Sequence, residues 1–186
     1  MRKHNFGAGQ GILPESALKK SAEAILDFNG SGMGVMEISH RSKDFEAVLA
    51  KTKSLVKELL NVPDTHEVLF VQGGASTQFA MVPMNLLKTK AAYLDQGAWS
   101  NKAIKEAKLM GEVVVVGSSK DKNYSYMPKG YSIPSDCDYF HITSNETIHG
   151  TQIKDFPASP IPVVCDMSSD IFSRPVDVSK FDLIYA

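Results

Sequence analysis

Apolar positions along this chain switch between a helical period and short unbroken runs. Over residues 14–28, Leu18, Ala22, Ile25 and Leu26 share one helical face, Pro14 suits the first helical position and Asn29-Gly30 supplies a stop. A longer helix is expected from Lys43 to Leu60. Phe45, Val48, Leu49, Thr52, Leu55, Val56, Leu59 and Leu60 form the stripe expected to be buried, while Lys43, Glu46, Lys51, Lys53 and Lys57 face water. The pattern then shortens. Val68-Leu69-Phe70-Val71 reads as a buried strand that runs through Gly73-Gly74 into a helix over residues 76–87. Strand-like residues 91–95, a helix over 101–110 stopped by Gly111, and a strand over 113–116 follow. Residues 139–143, 163–166 and 183–185 supply further strands.

This β-α-β-α-β alternation predicts an α/β fold, a mostly parallel mixed sheet with helices on both faces. Residues 117–136, with Ser118-Ser119, Asp121-Lys122-Asn123 and Pro128, read as a long surface excursion with room for a hairpin. Phe181-Asp182-Leu183-Ile184-Tyr185-Ala186 reads as a strand on which the chain stops, so residues 1–186 are expected to form a single, incomplete domain with an N-terminal extension.

Composition narrows the partners. A formal net charge of −1 gives no reason to expect nucleic acid or an anionic membrane surface. No apolar run approaches the roughly 20 residues of a spanning helix, and the N-terminus lacks the apolar core of a signal peptide. Cys137 and Cys165 sit in apolar or strand-like sequence, which fits two reduced, buried thiols in a cytoplasmic protein.

In open parallel sheets, ligands gather at the carboxyl ends of strands. There, Val71-Gln72-Gly73-Gly74-Ala75-Ser76-Thr77 runs from a strand into two glycines and then into hydroxyl residues that open a helix. Backbone N–H groups at Ala75, Ser76 and Thr77, with the Ser76 and Thr77 hydroxyls, suit a phosphate at the positive helix end; an ordinary βα turn with Ser76 as N-cap accounts for the same residues. Asp166 ends a run of apolar residues, where a carboxylate needs a cation or several donors. A protonated pyridine nitrogen is one such partner, and a helix cap formed with Ser168-Ser169 is another role for it. Trp99, the only tryptophan, follows a strand and suits either stacking on a heteroaromatic ring or the core. Thr147, after the strand over 139–143, suits a ring hydroxyl or a polar loop. His40-Arg41 forms a cationic pair fitted to carboxylate or phosphate, and equally to a solvated helix entry. The glycine clusters at 7–11 and 30–34 follow no strand, which argues against a dinucleotide site. The scattered histidines lack metal-ligand spacing.

Several of these segments recur together in one family. Gly32-Met33-Gly34-Val35-Met36-Glu37-Ile38-Ser39-His40-Arg41-Ser42-Lys43, Gly73-Gly74-Ala75-Ser76-Thr77-Gln78-Phe79, the run from Asn145 to Gly150, and Asp166-Met167-Ser168-Ser169 through Ser173-Arg174-Pro175 resemble phosphoserine aminotransferases, in the same order. The resemblance implies the large domain of a fold-type I pyridoxal 5'-phosphate enzyme, usually a homodimer in serine biosynthesis, moving an amino group between L-glutamate and 3-phosphohydroxypyruvate. It implies that Ala75 and Ser76 hold the cofactor phosphate, Trp99 stacks on the ring, Thr147 bonds near its phenolic oxygen and Asp166 pairs with the ring nitrogen. It assigns His40 and Arg41 to the acid groups of the substrate. Two positions depart from the family pattern: Ser76 where many relatives carry arginine, and Gln10 in place of a common proline. The Gly-Ala-Gln-Lys run that supplies the family's Schiff-base lysine is absent, as is the C-terminal small domain, and Lys180 is expected at the wrong end of its strand to substitute. The chain alone is therefore expected to be inactive. Another fold-type I transaminase or desulfurase, or a fragment that binds cofactor without chemistry, remains open at this level.

Overall fold

A computed structural model describes residues 2–7 and 11–186. Gln10 and most of the first glycine cluster lie outside the described residues. The chain divides into two compact units, Met1–Val68 and Leu69–Ala186.

In the first unit, α1 spans Glu15–Leu26 with Pro14 as its N-cap, so the helix begins one residue later than the spacing suggests. Gly34 passes so close to α1 that an added Cβ would lie 2.1 Å from the Ile25 carbonyl oxygen, so only glycine fits. Helix α2 spans Lys43–Leu60, as its periodicity predicts. The Ser42 hydroxyl accepts the Phe45 N–H at 3.3 Å to cap it, and Asn61 ends it in the left-handed region at φ 47°. Lys57 and Lys53 meet Glu67 at 2.8 and 3.6 Å. The stripe on α2 departs from expectation. Of its apolar residues only Leu60 is buried, and Leu59 is 70% exposed.

The second unit is built on a five-stranded sheet. After α3 (Gly74–Leu86) come β1 (Lys90–Asp95), α4 (Ala98–Ala107) and β2 (Glu112–Ser118). Next are β3 (Phe140–Thr143), the short hairpin of β4 (Asn145–Glu146) and β5 (Thr151–Gln152), then β6 (Val163–Asp166) and β7 (Leu183–Tyr185). The spatial order is β2-β1-β3-β6-β7, and every neighbouring pair in this sheet is parallel. The α/β class and the parallel sheet are therefore as the alternation predicts.

Parallel register sorts the side chains into two faces. Tyr93, His141, Val164 and Leu183 pair in one row across four strands, and Thr143, Asp166 and Tyr185 form the next row toward the carboxyl edge. Phe79 and Val82 of α3 and Ala103, Ile104 and Ala107 of α4 pack on this face with Ala91, Tyr93, Tyr139, Val164 and Tyr185. The opposite face buries Ala92, Leu94, Phe140, Ile142, Val163 and Cys165 under Cys137, Ile153, Met167 and Phe181. That cover is irregular chain. Both cysteines are free and buried.

Three expectations are corrected. Val68-Leu69-Phe70-Val71 is not a strand: it is irregular, with Leu69 71% exposed, since no described strand offers it a ladder. The 117–136 excursion holds a 3-10 turn at Lys120–Lys122 and no hairpin; the hairpin lies instead at β4–β5, in sequence that reads as a polar loop. Helices α3 and α4 each begin earlier than predicted, at Gly74 and Ala98. No helix among the described residues is long and apolar enough to cross a membrane.

Candidate active site at the carboxyl edge of the sheet

Because β2 and β3 flank β1 on opposite sides, the winding of the sheet reverses between β1 and β3. Such a reversal opens a crevice beyond the strand ends, the usual ligand position in parallel sheets. The chain leaving β1 supplies Gln96, Gly97 and the start of α4; the chain leaving β3 supplies Ser144 and the β4–β5 hairpin. The side-chain amide of Gln96 donates to the Thr143 carbonyl and ties the two exits together.

Asp166 is the last residue of β6 and is 4% exposed. Its Oδ1 accepts both the Ser168 N–H at 3.0 Å and the Ser168 hydroxyl at 2.6 Å. No hydrogen bond from the described residues reaches Oδ2. Burial raises the pKa of this carboxyl, the Ser168 bonds oppose the shift, and the charges of Glu146 and Asp170 add to it. Beside it in register stands Thr143, whose buried hydroxyl has no partner among the described residues. A buried carboxylate with one oxygen unengaged, next to an unpaired hydroxyl, suits a ligand that brings a cationic N–H donor.

Trp99 lies in the first turn of α4, half-buried against the cluster that contains Tyr93 and Ile104. The Lys102 ammonium sits 4.1 Å from its ring centroid. Its backbone N–H donates to Glu146 Oε2 at 3.2 Å, and the next N–H, of Ser100, donates to Glu146 Oε1 at 2.8 Å. Thr147 follows Glu146 directly, half-buried at the start of the hairpin turn, which Gly150 closes by donating to the Glu146 carbonyl at 2.8 Å. The Trp99 and Thr147 segments are thereby joined. The Asp166 loop is joined to the same hairpin: Asn145 donates to Ser169 Oγ, and Ser169 Oγ donates to the Asn145 carbonyl, each at 2.9 Å.

Helix α3 starts at Gly74 after Gly73, which is left-handed at φ 97° and leaves no room for a Cβ beside Thr77. The Thr77 hydroxyl donates back to the Gly73 carbonyl at 2.7 Å, and no side chain caps the helix N–H groups. Ala75 is half-buried against the same cluster as Trp99, and Ser76 is exposed on the opening turn. Ser76 is therefore inside the helix and not its N-cap.

His40 and Arg41 lie in the first unit, in the turn before α2. Both are exposed, and among the described residues neither joins an ion pair; the Arg41 N–H donates to Ser39 Oγ at 3.2 Å. Lys180 is exposed in the 3-10 turn that precedes β7, at the amino end of that strand.

The sequence reading missed Glu146, Gly97 and the Thr143 hydroxyl, while Ser168 was named beside Asp166 only as part of a cap. Glu146 is completely buried, and an added Cβ at Gly97 would lie 2.3 Å from its carboxyl carbon. A usable cue was present: an acidic residue three positions beyond a predicted strand, in a chain where another strand exits through a glycine.

Comparison with known proteins agrees with this fold. The family model described as aminotransferase class-V matches residues 4–186. The phosphoserine aminotransferase of Flavobacterium johnsoniae is 62% identical over 189 aligned residues, covering 100% of this chain and 53% of that relative. The phosphoserine aminotransferase of Bacteroides fragilis is 60% identical, covering 100% and 52%. The solved phosphoserine aminotransferase from Bacillus circulans subsp. alkalophilus superposes with a TM-score of 0.94 at 45% identity, over 98% of this chain and 52% of that one. The pyridoxal-phosphate-bound phosphoserine aminotransferase from Trichomonas vaginalis gives a TM-score of 0.92 at 34% identity, over 98% and 53%. The chain thus spans about half the length of the curated relatives it matches. With a family model matched over nearly its whole length, the chain belongs to the aminotransferase class-V family.

Proposed function

We propose that this chain forms the cofactor-binding part of a phosphoserine aminotransferase, which transfers an amino group between L-glutamate and 3-phosphohydroxypyruvate using pyridoxal 5'-phosphate. The observation that carries the reading is Asp166: buried at the carboxyl edge, held through one oxygen by Ser168, with the other oxygen unengaged among the described residues. Its environment suits the ring nitrogen of pyridoxal phosphate, whose protonated pyridine supplies the electron sink for amino transfer.

Each residue has a part in this reading. Asp166 holds a proton on the ring nitrogen, which offsets the cost of its own burial. Trp99 stacks on the ring and excludes water from one face. Thr147 donates to the phenolic oxygen. The N–H groups and hydroxyl at Ala75 and Ser76 bind the phosphate at the uncapped start of α3. His40 and Arg41 bind the acid groups of the substrates, which favours a phosphorylated keto acid. Catalysis requires a lysine outside these residues, so the chain by itself is proposed to bind cofactor without turnover. The same reading carries a homodimer acting in serine biosynthesis in the cytoplasm.

The test is a titration of the chain with pyridoxal phosphate, followed by equilibrium dialysis. Asp166→Ala should weaken binding about tenfold or more, the worth of a charge-assisted hydrogen bond. Equal affinity for the two proteins would remove the proposal.

A further inference from the structure

We infer that Glu146 is a positioning residue that sets the Trp99 and Thr147 segments in one register for the ring between them; this rests on the cofactor site just proposed. Its carboxylate is fully buried, yet no lysine or arginine pairs with it among the described residues. The nearest side-chain cation candidate is His149, whose Nδ1 stands 4.0 Å from Oε2 and makes no hydrogen bond. What satisfies the carboxylate is backbone: one oxygen for Trp99 N–H and one for Ser100 N–H, both at the positive end of α4.

This is a helix cap supplied from another part of the chain. Ser100 already uses its own hydroxyl locally, accepting the Gln96 and Gly97 N–H groups at 3.0 Å each. Glu146 takes the N–H groups of Trp99 and Ser100. Meanwhile the Glu146 backbone is fixed in the β4–β5 hairpin, where its carbonyl accepts the Gly150 N–H and its strand partner is Thr151. One side chain therefore fixes the origin of α4, from which the Trp99 ring projects, against the turn that carries Thr147. Gly97 makes the approach possible, since any Cβ there would overlap the carboxyl group.

Trp99 is the only tryptophan in the chain, so its emission reports the site directly. The experiment is a pyridoxal phosphate titration of the chain followed by tryptophan quenching, beside a thermal melt without cofactor. In Glu146→Gln the amide oxygen still accepts one N–H, while its NH2 group opposes the other. The expected result is a folded variant whose quenching at saturation falls to about half that of the unaltered chain, with roughly tenfold weaker binding. Gly97→Ala, which leaves the carboxylate but displaces it, should lower the saturated quenching in the same way and keeps the test open should Glu146→Gln not fold. Full quenching at saturation in a folded variant, whatever its melting temperature, overturns the positioning role. Absence of quenching in the unaltered chain overturns the cofactor reading itself, and this role with it.

Discussion

His141 donates or accepts one hydrogen bond inside the sheet, Nε2 to the Tyr185 hydroxyl at 2.9 Å, while its Nδ1 has no partner among the described residues. The ring is stacked 4.8 Å from Tyr93 and is 1% exposed. Burial lowers its pKa from 6.5 to about 3. The folded chain thus keeps His141 neutral while the unfolded chain protonates it below pH 6.5. The unfolded state binds the extra proton, so stability falls on acidification from about pH 6.5 toward 3, by about 1.4 kcal/mol per pH unit from this residue. Denaturant melts of the chain and of His141→Gln across that range should differ in slope by this amount. Parallel curves would show that His141 is not neutral in the fold.

Asp166 has the opposite sign. Its pKa is raised by burial, so the folded state favours the proton, and stability is lost as pH rises through the folded value. Once ionised, the buried carboxylate is a standing cost to the fold. Asp166→Asn, which keeps an oxygen for Ser168, should stabilise the cofactor-free chain by about 1 kcal/mol while weakening pyridoxal phosphate binding. Chemical denaturation beside the binding titration checks both halves; a loss of stability would contradict the account.

Tyr93 and Tyr139 share a buried hydrogen bond of 2.7 Å between their hydroxyls. Burial raises both pKa values, that of Tyr139 to about 12. Removing one hydroxyl strands the other, so each single change to phenylalanine should cost about 1–3 kcal/mol. The double variant should cost less than the sum, and additivity in a double-mutant cycle would show that the hydroxyls do not interact.

Leu69, Phe70 and Val71 are 71%, 56% and 58% exposed in irregular chain without a ladder. Such a segment invites intermolecular strand pairing. Leu69→Lys with Val71→Lys should raise the solubility limit of the chain and leave its unfolding midpoint within about 0.5 kcal/mol. Static light scattering at increasing concentration would register the change.

These outcomes separate what local sequence specifies from what only the tertiary structure supplies. Strands β6 and β7 and helix α2 fall where the pattern places them, because β-branched runs and a strong helical period act locally. Helix α4 begins at Ala98 and not at residue 101, since its capping group comes from Glu146, a contact 46 residues away at Ser100. The Val68-Leu69-Phe70-Val71 run shows the converse: a strand pattern needs a neighbour, and period alone does not supply one. Asp166 was legible because a carboxylate after buried residues demands an explanation. The unpaired Thr143 hydroxyl beside it was not, since threonine is ordinary in strands and only register places it there.

The two cysteines have a practical use. Burial raises the pKa of both thiols, and Cys165 sits on an inner strand with no measurable exposure. A thiol reagent can reach Cys165 only when the chain covering that face of the sheet lifts, so its labelling rate under native conditions times that opening event, and slowing of the rate by a small molecule would register binding without any chromophore.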